Sequence, residues 1–515
     1  MNQEIKYNYK TFIEETGADR LIDTLQQDLT DNGNKPMPHY SDMIAVENNR
    51  TYQYVNYVQE GGGVLGVALI GYTYVLEKLG FRFLKLAGTS AGAINTILLA
   101  GTDKKNYEKS DYSFEYKSEI ILQEMLDFNL WKLVDGSKFG KWLIKMFVSH
   151  PKRIGILKNI ILFALATPFL FSIIAVFGRV LFGLWPAAGL IKVYDVLVVV
   201  SFIALIVLLI VLGVIIYYAW RFKRAGFGIN PGQEFYKWIE KILSKNNIKN
   251  IADLEAKMKT EIGDAHLRPE RSALQIAGDN DHISPPYITL VTSDITNESK
   301  VEFPAMAADY YENPDAVNPA DFVRASMSIP IFFEPFKISV SKRVKDQSNF
   351  QQDRITKRSY KNRETYQALF IDGGVLSNFP YNVFHNPKIK IARMPTFGVR
   401  LEDEDHIDLN KPKKSSMLAF TGLLKKIFNT IRFNYDREFL KKNAVYEMCI
   451  GHVDMEKQNW LDFSISYEKQ KELFIKGVEA GIAFFKGGTV WIDGKSKQFD
   501  AFDWEKFKIE REKIV

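Results

Sequence analysis

The 515-residue chain predicts an α/β fold built on a parallel sheet and interrupted by a two-helix transmembrane hairpin. Three observations point there. Two strand–turn–helix units follow one another between Tyr52 and Ala100, each with a glycine-rich turn. Far downstream an apolar strand, Ala368–Ile371, runs into Asp372-Gly373-Gly374. Between them lie two uncharged apolar runs, Ile160–Phe177 and Val196–Trp220.

In the first unit Tyr54, Val55, Tyr57 and Val58 favour a strand. The turn is Glu60-Gly61-Gly62-Gly63-Val64-Leu65-Gly66, and Val67, Ile70, Tyr74 and Val75 then recur at helical spacing as far as Gly80. Successive glycines let backbone N–H groups converge on one point, as an oxyanion hole requires. The G-x-G-x-x-G spacing and acidic ribose partner of a dinucleotide site are not evident. In the second unit the strand Phe83–Ala87 ends in Gly88-Thr89-Ser90-Ala91-Gly92 and continues into a small-residue helix. This is the setting of a nucleophile elbow, with Ser90 on a sharp turn between Gly88 and Gly92 and its hydroxyl at a helix N-terminus. A right-handed crossover brings both turns to the C-terminal edge of the sheet. Asp372, held at a strand end, can take the proton of Ser90. Taken alone, Asp-Gly is an ordinary turn dipeptide.

Together the Gly61–Gly66 turn, the Gly88–Gly92 elbow and Asp372-Gly373 resemble the oxyanion turn, nucleophile elbow and D-G-[GA] motif of the patatin-like phospholipases of bacterial type. Val323–Pro330 and Ser377-Asn378-Phe379-Pro380 extend the resemblance, which covers about residues 54–130 and 230–400. It implies a three-layer sheet with helices on both faces and a Ser–Asp dyad, without histidine, that hydrolyses acyl esters of lipids. Ser90 would be the nucleophile and Asp372 the base. Oxyanion donors would come from Gly61, Gly62, Gly63 and Ala91, and the tight turns would need Gly66, Gly88, Gly92, Gly373 and Gly374. Neither metal nor cofactor is implied. Leu65 departs from the pattern, because the family commonly carries Arg or Lys there.

Composition sets bounds on this reading. Apolar residues make up 46% of the chain, and 67 basic against 61 acidic residues give a net charge of +6, too mild to argue for nucleic acid. The single Cys449 excludes an internal disulfide and any multi-cysteine metal site. Met1-Asn2-Gln3-Glu4 lacks the basic and apolar regions of a signal peptide.

The apolar runs are eighteen and twenty-five residues long. A bilayer core needs about twenty per helix, so spans are expected near 157–177 and 196–220. Both outer flanks are basic (Lys152, Arg153 and Lys158; Arg221, Lys223 and Arg224), which puts them and the catalytic parts in the cytoplasm. Tyr217, Tyr218 and Trp220 mark the interface. The expected organisation is an N-terminal extension (1–50), a first hydrolase part (51–145), a membrane insertion (146–228), a second hydrolase part (229–402) and a C-terminal helical part (403–515). The basic stretch Ser341–Tyr366 reads first as a solvated loop, and as a function it would be a flap that meets anionic head groups near the mouth of the site. Ser415–Arg432 suggests a basic amphipathic helix that lies on a membrane or covers the sheet. Asp294 ends another strand and reads as a turn residue.

The expected activity is therefore acyl-ester hydrolysis at a bilayer, on phospholipid or another acyl lipid, with no protein partner legible. A Ser–His–Asp triad drawing on His385, His406 or His452 is the chemical rival. A non-catalytic membrane anchor or sensor on a hydrolase scaffold is the rival from another class.

Overall fold

The computed structural model describes residues 7–107, 112–149, 188–268, 285–341, 366–389, 392–402, 435–455, 458–492 and 495–513, with isolated positions between 159 and 180 and at 344. The basic stretch and the 415–432 helix lie almost wholly outside these residues, as does His406. The chain divides into two compact units. Residues 1–134, 232–330 and 335–515 form the first, and residues 135–231 with 331–334 form the second.

The first unit opens with α1 (Tyr9–Thr16) and α2 (Ala18–Leu29), separated at Gly17, whose φ of 67° ends one helix and starts the next. The N-terminal stretch is not merely an extension. β1 (Met43–Glu47) pairs antiparallel with β2 (Arg50–Gln59), so this segment enters the sheet. β2 leads through the glycine turn into α3 (Gly66–Lys78), and β3 (Phe81–Thr89) leads through the serine turn into α4 (Ala91–Gly101). β2 and β3 are parallel with Gln59 opposite Gly88, which sets the two turns side by side at one sheet edge.

The chain continues through α5 (Lys117–Leu126) and then, in the second unit, α6 (Lys138–Ser149) and α7 (Ala188–Arg224). Back in the first unit come α8 (Gln233–Lys245), α9 (Ile251–Glu261), β4 (His266–Leu267), β5 (Tyr287–Asp294), β6 (Ser299–Phe303) and α10 (Pro319–Ser326). β7 (Phe336–Val340), β8 (Tyr366–Asp372), β9 (Thr396–Glu402), β10 (Ile450–Asp454) and α11 (Tyr467–Lys486) follow. A hairpin of β11 (Gly488–Ile492) and β12 (Lys495–Phe499) and a last helix α12 (Trp504–Glu512) end the described chain.

The sheet order is β10-β9-β2-β3-β5-β8-β7. From β10 to β5 the strands are parallel, but β8 runs antiparallel to β5, and β7 to β8. The sheet is therefore mixed rather than purely parallel, because β8 is reached through β7 and not through a crossover helix. Residues after 402 are not only helical, since β10 completes one edge of the sheet. Helices pack on the sheet, α4 against β3, α10 against β5 and α11 against β10. α11 and α3 approach closely because Gly477 sits on the Ala68 carbonyl and Gly71 on that of Phe474.

Of the two expected spans, one coincides with a helix long and apolar enough to cross a membrane. Leu205–Arg224 of α7 has a mean hydropathy of 2.3 and none of it is buried, so by length and composition it can cross a membrane. The helix starts at Ala188 instead of 196, so part of the expected link is helical too. The first run, near 157–177, lies largely outside the described residues, and a hairpin is not shown.

Candidate active site

The first site element is a strained serine. Ser90 has φ 52° and ψ −116° and is buried, a backbone state that persists only when its surroundings over-determine it. They do. Its N–H donates to Ser326 Oγ at 3.0 Å, and that hydroxyl donates to the Val291 carbonyl at 2.6 Å. A Cβ on Gly88 would land on the backbone of Gly92, and one on Gly92 would land on the Gln59 carbonyl oxygen. Both elbow glycines are thus required by close backbone approach. Gly92→Ala is expected to give insoluble or unfolded protein, read by the soluble fraction on expression, because the obstacle is backbone and cannot rotate away.

Gly66 brings the two turns together, since a Cβ there would lie 3.0 Å from Ala91 Cβ. Among the described residues the N–H groups of Gly62, Gly63 and Ala91 meet no acceptor. Gly61 differs from expectation. Its N–H donates to the Asn378 carbonyl at 3.0 Å, so it is a structural tie rather than an open donor.

Asp372 sits level with Ser90 across β5. Thr89 is opposite Val291, and the next residue, Thr292, is opposite Asp372. Two strand spacings, about 10 Å, separate the two backbones, and the turn after Asp372 folds inward over β5. A Cβ on Gly373 would lie 3.0 Å from Thr89 Cγ2, and Thr89 Oγ1 donates to the Ser377 carbonyl at 3.0 Å. Asp372 Oδ1 accepts from the Gly374 N–H at 2.7 Å, and the Asp372 N–H donates to the Ser328 carbonyl at 2.8 Å. Asp294 is the turn residue expected of it: Oδ1 accepts from the N–H groups of Thr296 and Asn297, and Oδ2 from the Tyr310 hydroxyl.

Several residues that tie the site together carried no expected role. Asn378 reaches across the sheet edge, donating from Nδ2 to Glu60 Oε1 at 3.0 Å and to the Gly61 carbonyl at 3.1 Å. Its Oδ1 would lie 2.6 Å from a Cβ on Gly61 and 2.5 Å from one on Gly374. Glu60 Oε2 accepts from the Leu401 N–H at 2.7 Å, with the Arg400 guanidinium 3.9 Å away. Asp436 grips both sides of Asn378, accepting from Ser377 Oγ at 2.7 Å and from the Phe379 N–H at 2.8 Å. The only signal for this clamp was the Ser377–Pro380 motif; its partners lie hundreds of residues away on one side and 58 on the other.

Burial pushes the Asp436 carboxyl up to about 6 from 3.8. The folded protein therefore holds this proton more tightly than the unfolded chain does. That contribution is complete below about pH 4 and is lost as pH rises through about 6. Asn at this position does not titrate. The stability of Asp436→Asn relative to wild type is expected to improve steadily between pH 4 and 6, read by denaturant titration at each pH.

An apolar cavity of about 60 Å³ adjoins the elbow, with Gly63 and Ala91 at one side and Ile94, Met125, Trp238 and Ile329 among its walls. Among the described residues neither surveyed histidine meets Ser90 or Asp372. His385 Nδ1 bonds the Tyr446 hydroxyl at 2.7 Å, and His452 Nδ1 bonds Glu402 at 2.6 Å.

Residues 58–168 and 205–385 match the family model described as patatin-like phospholipase. A curated relative, the uncharacterized protein YqhO of Bacillus subtilis (strain 168), is 26% identical over 438 residues, spanning 85% of this chain and 99% of the relative. Among solved structures, VipD from Legionella pneumophila aligns over 90% of this chain and 72% of its own at 14% identity. The TM-score of that alignment is 0.34.

Proposed function

Because the chain belongs to the patatin-like phospholipase family, and is in general terms a lipid acyl hydrolase, we propose that it cleaves membrane lipids through a Ser90–Asp372 dyad while tethered by α7. The observation that carries this is the strained Ser90 at the head of α4, beside an apolar cavity and three N–H groups that meet no acceptor among the described residues. Ser90 Oγ attacks the ester carbonyl carbon as its proton passes to Asp372, and the N–H groups of Gly62, Gly63 and Ala91 receive the oxyanion. Collapse breaks the bond to the alcohol, which leaves with that proton. Water, deprotonated by Asp372, then releases the fatty acid from the acyl-enzyme. The cavity takes the acyl chain, which favours a lipid over a soluble ester. Phospholipids and lysophospholipids are the substrates to try first.

The exposed apolar surface of Leu205–Arg224 supports a tether. The first apolar run would supply a return leg, and the basic residues Arg221, Lys223 and Arg224 favour a cytoplasmic end. The engagement of His385 and His452 elsewhere speaks against a triad. The test is fatty-acid release from mixed phospholipid vesicles by the detergent-purified full chain. No release from any phospholipid, lysophospholipid or neutral glyceride would instead favour a non-catalytic anchor.

A further inference from the structure

Nine described non-glycine residues have positive φ. Five are Asn or Asp, which tolerate the left-handed region, Glu298 lies in a turn, and Ser90 precedes α4. Two are bulky and apolar: Phe227 (φ 65°) and Ile331 (φ 70°). A β-branched residue in this region is a genuine outlier. Both belong to the second unit and both are displayed, Phe227 at 56% exposure and Ile331 at 63%. Neither side chain is buried in return for the strain.

Hydrogen bonds fix the backbone that holds them. Helix α7 ends in a reversal in which the Phe227 N–H returns to the Phe222 carbonyl at 2.9 Å and the Gly226 N–H to that of Lys223 at 3.1 Å. The rings of Phe222 and Phe227 meet edge to face at 5.6 Å, the apolar contact typical of this cap. Two residues after Phe227, the Ile229 N–H donates to the Ile331 carbonyl at 3.0 Å. Buried Asn230 then fixes the neighbouring turn, donating from its N–H and its Nδ2 to the Phe332 carbonyl at 3.0 and 2.8 Å. Two distant stretches of chain are thereby pinned so that one exposed apolar side chain projects from each. They stand just past the end of α7, where Trp220 lies under the Arg224 guanidinium (4.3 Å) and Arg221 and Lys223 are exposed. Aromatic and basic residues in that arrangement suit the boundary between lipid head groups and acyl chains.

We propose that Phe227 and Ile331 form a wedge that inserts into the interfacial layer of a phospholipid bilayer. The proposal rests on the reading of α7 as a membrane helix. Burial in lipid repays the exposure of the two side chains, and the strained turns keep them from folding back onto protein.

The native chain has one cysteine, Cys449, which is buried, so introduced cysteines label selectively. Phe227→Cys, Ile331→Cys, Val207→Cys on α7 and Ile509→Cys on α12 would each carry a nitrobenzoxadiazole dye. The full-length protein would be reconstituted in phosphatidylcholine–phosphatidylglycerol vesicles. Dyes at 227 and 331 are expected to be quenched by a nitroxide near the top of the acyl chain and shielded from aqueous iodide, with the dye at 509 behaving oppositely. If 207 reports lipid while 227 and 331 report water, the wedge is overturned and the membrane helix stands. If 207 itself reports water, both fall. Ile331→Asn supplies the second readout, because asparagine accepts this φ and is polar. Its unfolding midpoint should be equal to or above wild type, and the ratio of vesicle to dissolved short-chain ester hydrolysis should fall several-fold. An unchanged ratio, or a lowered midpoint, would make Ile331 a structural residue and overturn the wedge.

Discussion

Ser90→Ala is expected to remove fatty-acid release altogether while leaving the protein folded. Alanine pays no more for φ 52° than serine does, and the bond from residue 90 to Ser326 uses the main chain, so nothing structural is lost with the hydroxyl. Asp372→Asn is the sharper comparison. Its Oδ1 still accepts from the Gly374 N–H, but the side chain can no longer take a proton. Loss of a general base costs typically 10²–10⁴-fold, so kcat should fall by about that much. The unfolding midpoint should stay near that of wild type. His385→Ala and His452→Gln should retain most of the activity, since those side chains serve Tyr446 and Glu402. Release that survives in Asp372→Asn, or a histidine variant as inactive as Ser90→Ala, would move the base elsewhere. A fluorophosphonate probe that labels wild type and not Ser90→Ala would identify the nucleophile independently of substrate.

The parts of this site that a sequence exposes are those whose geometry depends on local chain. Gly88, Ser90 and Gly92 are one strand–turn–helix, and Gly61–Gly63 another, so their residue types follow from backbone needs within a few positions. The same holds for Asp294, whose carboxylate accepts from the N–H groups of its own neighbours two and three residues on. What tertiary contact decides was not legible. The antiparallel course of β8 depends on its entry through β7. The engagement of the Gly61 N–H depends on Asn378, 317 residues away. A purely local reading therefore counted Gly61 as a donor, when the long-range fold had already used it. The second unit shows the opposite limit. Hydropathy marks α7 by length and composition, yet the left-handed Phe227 and Ile331 beside it leave no trace in composition.

Arg400→Met should be strongly damaging although it touches neither Ser90 nor Asp372. Arg400 lies on β9, 3.9 Å from Glu60 and 3.7 Å from Glu402. Burial would depress its guanidinium, but the carboxylates of Glu402, Glu60, Glu447 and Asp436 outweigh that and hold it above its ordinary value. Methionine fills similar space and leaves those carboxylates without their shared cation. Removing one partner of a fully buried ion pair costs about 3–5 kcal/mol. The Arg400 side chain keeps 18% exposure, so the loss should lie near or below the low end of that range, still large against a typical stability of about 5–15 kcal/mol. The loss should shrink toward pH 5, because protonated carboxyls need no cation, and Arg400→Lys should recover part of it by restoring charge without the planar fork. Activity should fall further than folded fraction alone explains. Glu60 holds Asn378, Asn378 holds the Gly61 N–H, and Gly61 leads directly into the turn that presents Gly62 and Gly63. Loosening that chain would displace the proposed oxyanion donors while Ser90 and Asp372 remain, so kcat should drop with little change in KM. Denaturant titration at pH 5 and pH 7.5 beside steady-state kinetics separates the two effects. An Arg400→Met protein as stable at pH 7.5 as wild type would mean that water, rather than the guanidinium, compensates these carboxylates.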